Sequence, residues 1–306
     1  MSHFVALRPH QWTKNLIVFA APLFGFSLSL QTLLGSLLAF GLFCGLSSSF
    51  YLINDVVDVE SDRRHPIKCK RPIANGLVSI PVALAMAFGL MGGALVLGWL
   101  QTALLGTTLL CYAALQSAYN LKLKHLPLLD IIAIATGFIL RAIAGGAVNS
   151  IELSPWFLLC TAMLALFLGI EKRKAELRLA QLGAGKTRRV LQYYSSSILT
   201  RMESTVTTGA IMSYALWSAG PIVNGASTAW MLLTLPFVMY GIFRYQLISE
   251  PTYYENLGRS NKPSSLQQTE RPEDVLFQDK PILLTVVSWI GVAFMILWLK
   301  SHGIIE

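Results

Sequence analysis

The fold reading turns on Ser47-Ser48-Ser49-Phe50-Tyr51-Leu52-Ile53-Asn54-Asp55-Val56-Val57-Asp58-Val59-Glu60-Ser61-Asp62-Arg63-Arg64-His65-Pro66. It closes an apolar run over about 32–53, long enough to cross a bilayer. The run stops at a cluster of acids. A helix turning about 100° per residue places Asp55, Asp58 and Asp62 within one face, and Asn54, Asp58 and Asp62 form an overlapping ladder. Carboxylates crowded at low dielectric repel one another, so such a face ordinarily needs a cation. Oxygen donors on a short helical stretch suit Mg2+, which takes one or two carboxylates together with substrate phosphate. The plainer alternative is a solvated helix end with incidental acids.

Composition widens this reading to the whole chain. Only 13% of the 306 residues are charged, against about 25% in soluble domains. Hydrophobic residues make up 54%, and the mean hydropathy is +0.56. That excludes a cytosolic globule, a disordered chain and a disulfide scaffold. The expected class is an all-α membrane protein, a single bundle over residues 1–306. The candidate spans are nine: about 15–30, 32–53, 77–100, 102–119, 127–148, 154–171, 197–219, 228–248 and 282–300. Cys44, Cys111 and Cys160 lie in apolar runs and Cys69 in a basic segment, without zinc spacing, so they read as soft hydrophobes.

The cations sort onto one side. Of the 24 cations, all but Arg141, Arg201, Arg244 and Lys300 fall in the N-terminal arm (Arg8, Lys14) or in the segments about 54–76, 119–126, 172–196 and 249–281. The alternate links carry none. By the positive-inside rule the N-terminus and the long loops are cytoplasmic, which places the protein in the inner (plasma) membrane with its site facing the cytoplasm. The acids follow the same geography, with Glu152 and Glu306 as outer-side exceptions. A pore or transporter is expected to carry ionisable groups nearer the midplane.

Beside the acids, Arg64-His65-Pro66-Ile67-Lys68-Cys69-Lys70-Arg71-Pro72 presents cations from a loop, since two prolines oppose a continuous helix. Metal on carboxylates with Lys and Arg alongside is a way to hold a diphosphate. Plain topological charge accounts for part of the same pattern. Asp130 and Arg141 sit eleven positions apart on one side of a helix, about 16 Å along its axis. Asp130 reads as lining the site mouth. Arg141 reads either as a deeper phosphate ligand or as a structural partner of backbone or a Glu. Gly41, Gly45, Gly92-Gly93 and Gly145-Gly146 fit close helix packing, and the tryptophans fit an interfacial belt. Lys186, Arg188 and Arg189 read as a cover on anionic headgroups, and 249–280 as a flexible lid.

Asn54-Asp55-x-x-Asp58-x-x-x-Asp62 at the end of the second span resembles the first motif of the UbiA superfamily of intramembrane prenyltransferases. Further stretches resemble its polyprenyl-phosphate phosphoribosyltransferase branch: Arg8-Pro9-His10-Gln11-Trp12-Thr13-Lys14-Asn15, Asp62 to Pro66 with Arg71-Pro72-Ile73-Ala74, Tyr119-Asn120-Leu121-Lys122-Leu123-Lys124-His125, Gly137 to Gly146, and Pro272-Glu273-Asp274-Val275-Leu276 with Asp279-Lys280-Pro281. They span nearly the whole chain. The superfamily's second acidic motif, DxxxD, is replaced by Glu171-Lys172-Arg173-Lys174-Ala175-Glu176, and its YxxxK by Tyr119 with lysines at +3 and +5. The branch often has Gly where Glu171 stands.

The resemblance implies a UbiA-like bundle and transfer of a 5-phosphoribosyl group from phosphoribosyl pyrophosphate to a polyprenyl phosphate, releasing diphosphate, in cell wall biosynthesis. On this reading Asp55, Asp58 and Asp62 are catalytic and hold Mg2+. Asn54, Lys14, Lys68, Arg71, Tyr119, Lys122, Lys124, Asp130, Arg141, Lys172, Arg173 and Glu176 bind substrate. Lys172 and Arg173 suit a donor with an extra phosphate monoester. The partners are those two substrates and the membrane, with no nucleic acid. The alternatives are prenyl transfer to an aromatic acceptor and a non-catalytic transporter or lipid-binding scaffold.

Overall fold

The structure, a computed structural model, describes residues 2–64, 68–181, 189–250, 275 and 279–306. His65, Pro66, Lys186, Arg188 and most of the expected 249–280 lid lie outside these residues, and Arg189 is described by its backbone alone.

The described residues are helical: α1 Ser2–Ala6, α2 Ala20–Phe24, α3 Leu30–Val57, α4 Val59–Arg63, α5 Ile80–Gln101, α6 Ala103–Leu121, α7 Leu129–Asn149, α8 Pro155–Gln181, α9 Ser196–Ser218, α10 Leu235–Ser249 and α11 Lys280–Ser301. Among the described residues, six segments are long and apolar enough to cross a membrane: α3, α5, α7, α8, α11, and α10 with the 3-10 turn before it. The chain is a multi-pass membrane protein.

Three boundaries differ from the sequence reading. The expected first span, 15–30, is instead a 3-10 helix Pro9–Phe19 continued by α2. Pro9 opens it after Arg8, whose left-handed backbone (φ 55°) turns the chain. Helix α3 runs to Val57, past the expected span end at 53 but short of the continuous helix through Asp62 that the acid spacing implies. Helix α8 runs to Gln181, past the expected end at 171, because its charged continuation is paired internally.

The chain divides into two compact units. The first comprises Met1–Pro22, Ser27–Lys122 and Leu140–Glu152; the second Leu23–Phe26, Leu123–Ile139 and Leu153–Glu306. In the first unit Phe43, Leu46 and Phe50 of α3 pack with Leu105, Leu109 and Tyr112 of α6. Thr102, extended at φ −152° and ψ 145°, ends α5 and caps α6 by accepting from Leu105 N–H at 3.0 Å. That one-residue link makes α5 and α6 antiparallel neighbours.

Close packing here uses Gly145, one of the expected glycines, and Gly106, which was not among them. A Cβ at Gly106 would lie 2.5 Å from the Trp99 ring, and one at Gly145 would strike the Val18 carbonyl. Gly41, Gly92 and Gly93 face open space. Small residues matter where backbones approach, and a glycine pattern alone does not say where that occurs.

In the second unit α8 and α9 pair, with a Gly209 Cβ position 3.0 Å from Met163 Sδ. Phe24, Phe157, Tyr214, Trp217 and Trp289 form an aromatic cluster in which Trp217 is buried. Trp217 therefore serves the core rather than an interfacial belt.

Candidate active site

In the first unit the site is built at the end of α3. Asp55 is only 4% exposed and Asp62 3%. Carboxylates so deeply buried require compensating charge, and two arginines supply it. Arg8 Nη2 donates to Asp55 Oδ1 at 2.5 Å. Arg71 Nη1 donates to the same Oδ1 at 3.0 Å and to Asp62 Oδ2 at 2.6 Å. One nitrogen thus bridges the two carboxylates.

Local sequence explains how both arginines arrive. Ser48 Oγ donates to the Leu7 carbonyl at 2.8 Å and accepts from Trp12 Nε1 at 3.0 Å, docking the N-terminal arm on α3. The Arg8 guanidinium then lies over the Tyr51 ring, 5.1 Å from its centre. The Arg71 loop is held by buried Ile73, packed with Leu52, Val59 and Ala6, and by Arg63 Nε donating to the Ala74 carbonyl.

Asp58 differs from its neighbours. The α-helix stops at Val57, and Asp58 takes φ −90° and ψ 4° before α4 begins. The break leaves Asp58 exposed. The three-acid face expected on a continuous helix becomes a buried pair with a third acid outside it. Among the described residues no three His, Cys, Asp or Glu side chains form a metal-holding group. The buried pair does fit a divalent ion in donor chemistry: hard oxygens of Asp55 and Asp62 already converge on one cationic nitrogen.

Nearby residues take quieter positions. Asn54 Nδ2 donates to Asn120 Oδ1 at 3.2 Å, tying α3 to the Tyr119-Asn120 end of α6. Tyr119, Lys68 and Lys14 are half-buried and Lys122 is exposed. Lys14 donates to Gln11 Oε1 at 2.5 Å. Arg141 is buried; its Nε donates to Asn15 Oδ1 at 2.6 Å and its Nη2 to Tyr112 OH at 2.7 Å. Its guanidinium also lies 4.7 Å from the Tyr112 ring centre. It joins three separate segments of the first unit, with Asn15 and Tyr112 as neutral partners.

The second unit holds its own ionic network. Arg173 and Asp130 are fully buried, with Nε to Oδ2 at 2.7 Å, and Arg173 also pairs with Glu176. Tyr194 OH donates to Asp130 Oδ1 at 2.9 Å and accepts from Leu128 N–H at 2.7 Å. Burial pushes the Tyr194 phenol up to about 12, so it remains a donor at neutral pH. Lys174 Nζ meets Glu203 Oε2 at 2.5 Å and Glu171 Oε1 at 3.0 Å. Lys172 and Lys124 are half-buried.

Sequence reasoning treated Arg8 as topological charge, although it opens the Arg8-to-Asn15 stretch. Asn15 lies in that stretch and Asn120 in the Tyr119-to-His125 stretch, so both carried a signal. Tyr112 carried no local signal, because it meets Arg141 only in the fold of the first unit, and Tyr194, Lys174 and Glu203 carried none, because they meet their partners only in the fold of the second.

Membrane-length helices, one ending in a buried carboxylate–guanidinium cluster, define an integral membrane protein with a polar cluster at the end of an apolar helix. The UbiA prenyltransferase family matches residues 16–256, and the chain belongs to that family. It is 36% identical to the decaprenyl-phosphate phosphoribosyltransferase of Mycolicibacterium smegmatis over 94% of this chain and 89% of that one. It is 42% identical to the enzyme of that name from Corynebacterium glutamicum over 69% of this chain and 65% of the other. A UbiA homolog from Archaeoglobus fulgidus, solved with DMAPP and Mg2+, superposes with a TM-score of 0.69 at 17% identity, covering 98% of this chain and all of that one. That last likeness speaks to fold alone.

Proposed function

We propose that this chain is a Mg2+-dependent intramembrane transferase that moves a 5-phosphoribosyl group from phosphoribosyl pyrophosphate to a polyprenyl phosphate, releasing diphosphate. The observation that carries the reading is the likeness, across nearly the whole chain, to decaprenyl-phosphate phosphoribosyltransferases. The buried Asp55–Asp62 pair supplies the chemistry that reading needs.

Asp55 and Asp62 would hold the metal, with Asp58 as the exposed third acid and Asn54 in support. Bound Mg2+ supplies charge neutralisation for the leaving diphosphate. Arg71, Lys68, Lys14, Tyr119, Lys122, Lys124, Lys172 and Arg173 are the proposed phosphate-side groups, and Asp130, Arg141 and Glu176 are further proposed substrate-binding residues, Asp130 and Glu176 holding Arg173. Arg173 acts from within its pairs with Asp130 and Glu176. The ribose C1–O bond to diphosphate breaks through an oxocarbenium-like state, and a lipid phosphate oxygen forms the new C1–O bond. That oxygen is anionic at neutral pH, so no strong base is needed. Positioning and fixed charge then provide most of the rate. Nine spans, with the N-terminus and long loops in the cytoplasm of the inner membrane, complete the reading.

The test offers purified protein labelled phosphoribosyl pyrophosphate with polyprenyl phosphate, and separately a prenyl diphosphate with an aromatic acid. A phosphoribosylated lipid dependent on Mg2+ is expected. A prenylated aromatic instead points to ordinary prenyl transfer, and no diphosphate release in either arm points to a scaffold.

A further inference from the structure

The two arginines on the carboxylate pair have a consequence for how the site fills. Asp55 Oδ1 receives Arg8 at 2.5 Å and Arg71 at 3.0 Å, and Asp62 Oδ2 receives Arg71 at 2.6 Å. The oxygens that face each other are therefore already engaged by guanidinium groups. A divalent ion held by both carboxylates needs oxygens at about 2.0–2.1 Å. It cannot take them while Arg71 Nη1 lies between them.

Both arginines have anchors other than the acids. Arg8 lies over the Tyr51 ring on an arm docked through Trp12, Ser48 and Leu7. Arg71 springs from a loop whose backbone is pinned at both sides: Arg71 N–H donates to the Lys68 carbonyl, and Val78 N–H to the Pro72 carbonyl. Its side chain is 28% exposed, so the guanidinium has room to turn outward while the backbone stays. Released from the acids, both guanidinium groups stay tethered at the site and suit oxyanions bidentately.

We propose that Arg8 and Arg71 act as resident counter-cations, and that divalent metal and diphosphate load as a coupled pair by exchanging ion pairs. This rests on the metal reading above. Metal alone displaces two arginines and leaves them without an anion. Diphosphate alone draws the arginines away and leaves two buried carboxylates facing each other. Together they swap partners, the acids to the metal and the arginines to the phosphates, and every charge stays paired. Each ligand then raises the other's affinity by the same factor, as linkage requires. Arg71 is the principal positioning residue, because its one nitrogen touches both acids.

The test measures Mn2+ binding by the loss of its free electron-spin-resonance signal, using the full chain in lipid nanodiscs without diphosphate. Working without diphosphate avoids complexes formed in solution. Arg71→Gln is expected to bind Mn2+ alone at least tenfold more tightly than wild type, because the carboxylates are no longer occupied. Arg8→Gln is expected to shift the same way by a smaller factor. A second series with inorganic diphosphate, corrected for the solution complex, is expected to show enhancement in wild type and much less in Arg71→Gln. Unchanged or weaker Mn2+ binding by both folded variants overturns the proposal and makes the arginines staples, with the metal site intact. Failure of every chain to bind Mn2+, with or without diphosphate, removes the metal reading itself and this inference with it.

Discussion

The two ionic clusters differ in what surrounds them. The Asp55–Asp62 pair is buried, but the arginines that neutralise it are 23% and 28% exposed and come from an N-terminal arm and a loop. The Asp130–Arg173 pair is sealed completely and sits on helices, with Tyr194 filling the second carboxylate oxygen. A pair with one partly exposed member can change partners. In a pair with both members dry, removing one member strands the other. The same two functional groups, carboxylate and guanidinium, thus make an exchangeable site in one unit and a rivet in the other.

The sharpest way to break this contrast is at the acids. Asp62→Ala and Asp55→Ala are each expected to lower turnover by about a thousandfold or more in a protein that still folds. Retained activity with phosphoribosyl pyrophosphate and polyprenyl phosphate sinks the site. At the rivet the effect moves to stability: Arg173→Ala is expected to cost about 3–5 kcal/mol by leaving Asp130 buried and unneutralised. Unfolding of the detergent-solubilised protein checks this, and a loss below about 1 kcal/mol removes the contrast.

Exposed Asp58 gives an intermediate case. Asp58→Ala is expected to lower activity by about 10- to 100-fold, as loss of a group that tunes the metal from outside does. A loss equal to that of Asp62→Ala returns it to the ligand set. Arg141→Gln, which loses a charged bond to Tyr112 and Asn15, is expected to cost about 2 kcal/mol, read in the same unfolding assay.

Smallest is Tyr194→Phe, at about 1–2 kcal/mol. Its folded phenol ionises at about 12, above the ordinary value near 10, so the neutral donor is what folding favours. The stability it adds is complete below about pH 10 and fades as pH rises through 12. The stability gap between wild type and variant therefore narrows only above pH 10, and a gap that closes between pH 7 and 9 contradicts the Tyr194–Asp130 bond.

Legibility followed physics. The long apolar helices were readable because about 20 apolar residues have few fates other than a membrane. The polar extension of α8 beyond Glu171 was not, because Glu171, Lys174, Arg173 and Glu176 look like a solvated loop until their partners are known. The acids at 55, 58 and 62 announced themselves by spacing. That Asp58 leaves the face depends on a backbone break at a residue whose type does not forbid helix.

Sequence by itself determined that this chain lives in a membrane, that its charges gather in a few segments, and that carboxylates stand where an apolar helix ends. Composition and period suffice for those, since they follow from transferring side chains between water and lipid. Tertiary structure alone decided which cation closes on which acid. Arg8 reaches Asp55 across 47 positions and Arg173 reaches Asp130 across 43. Such a pairing is set by how helices and loops pack, and charge carries no address along the chain.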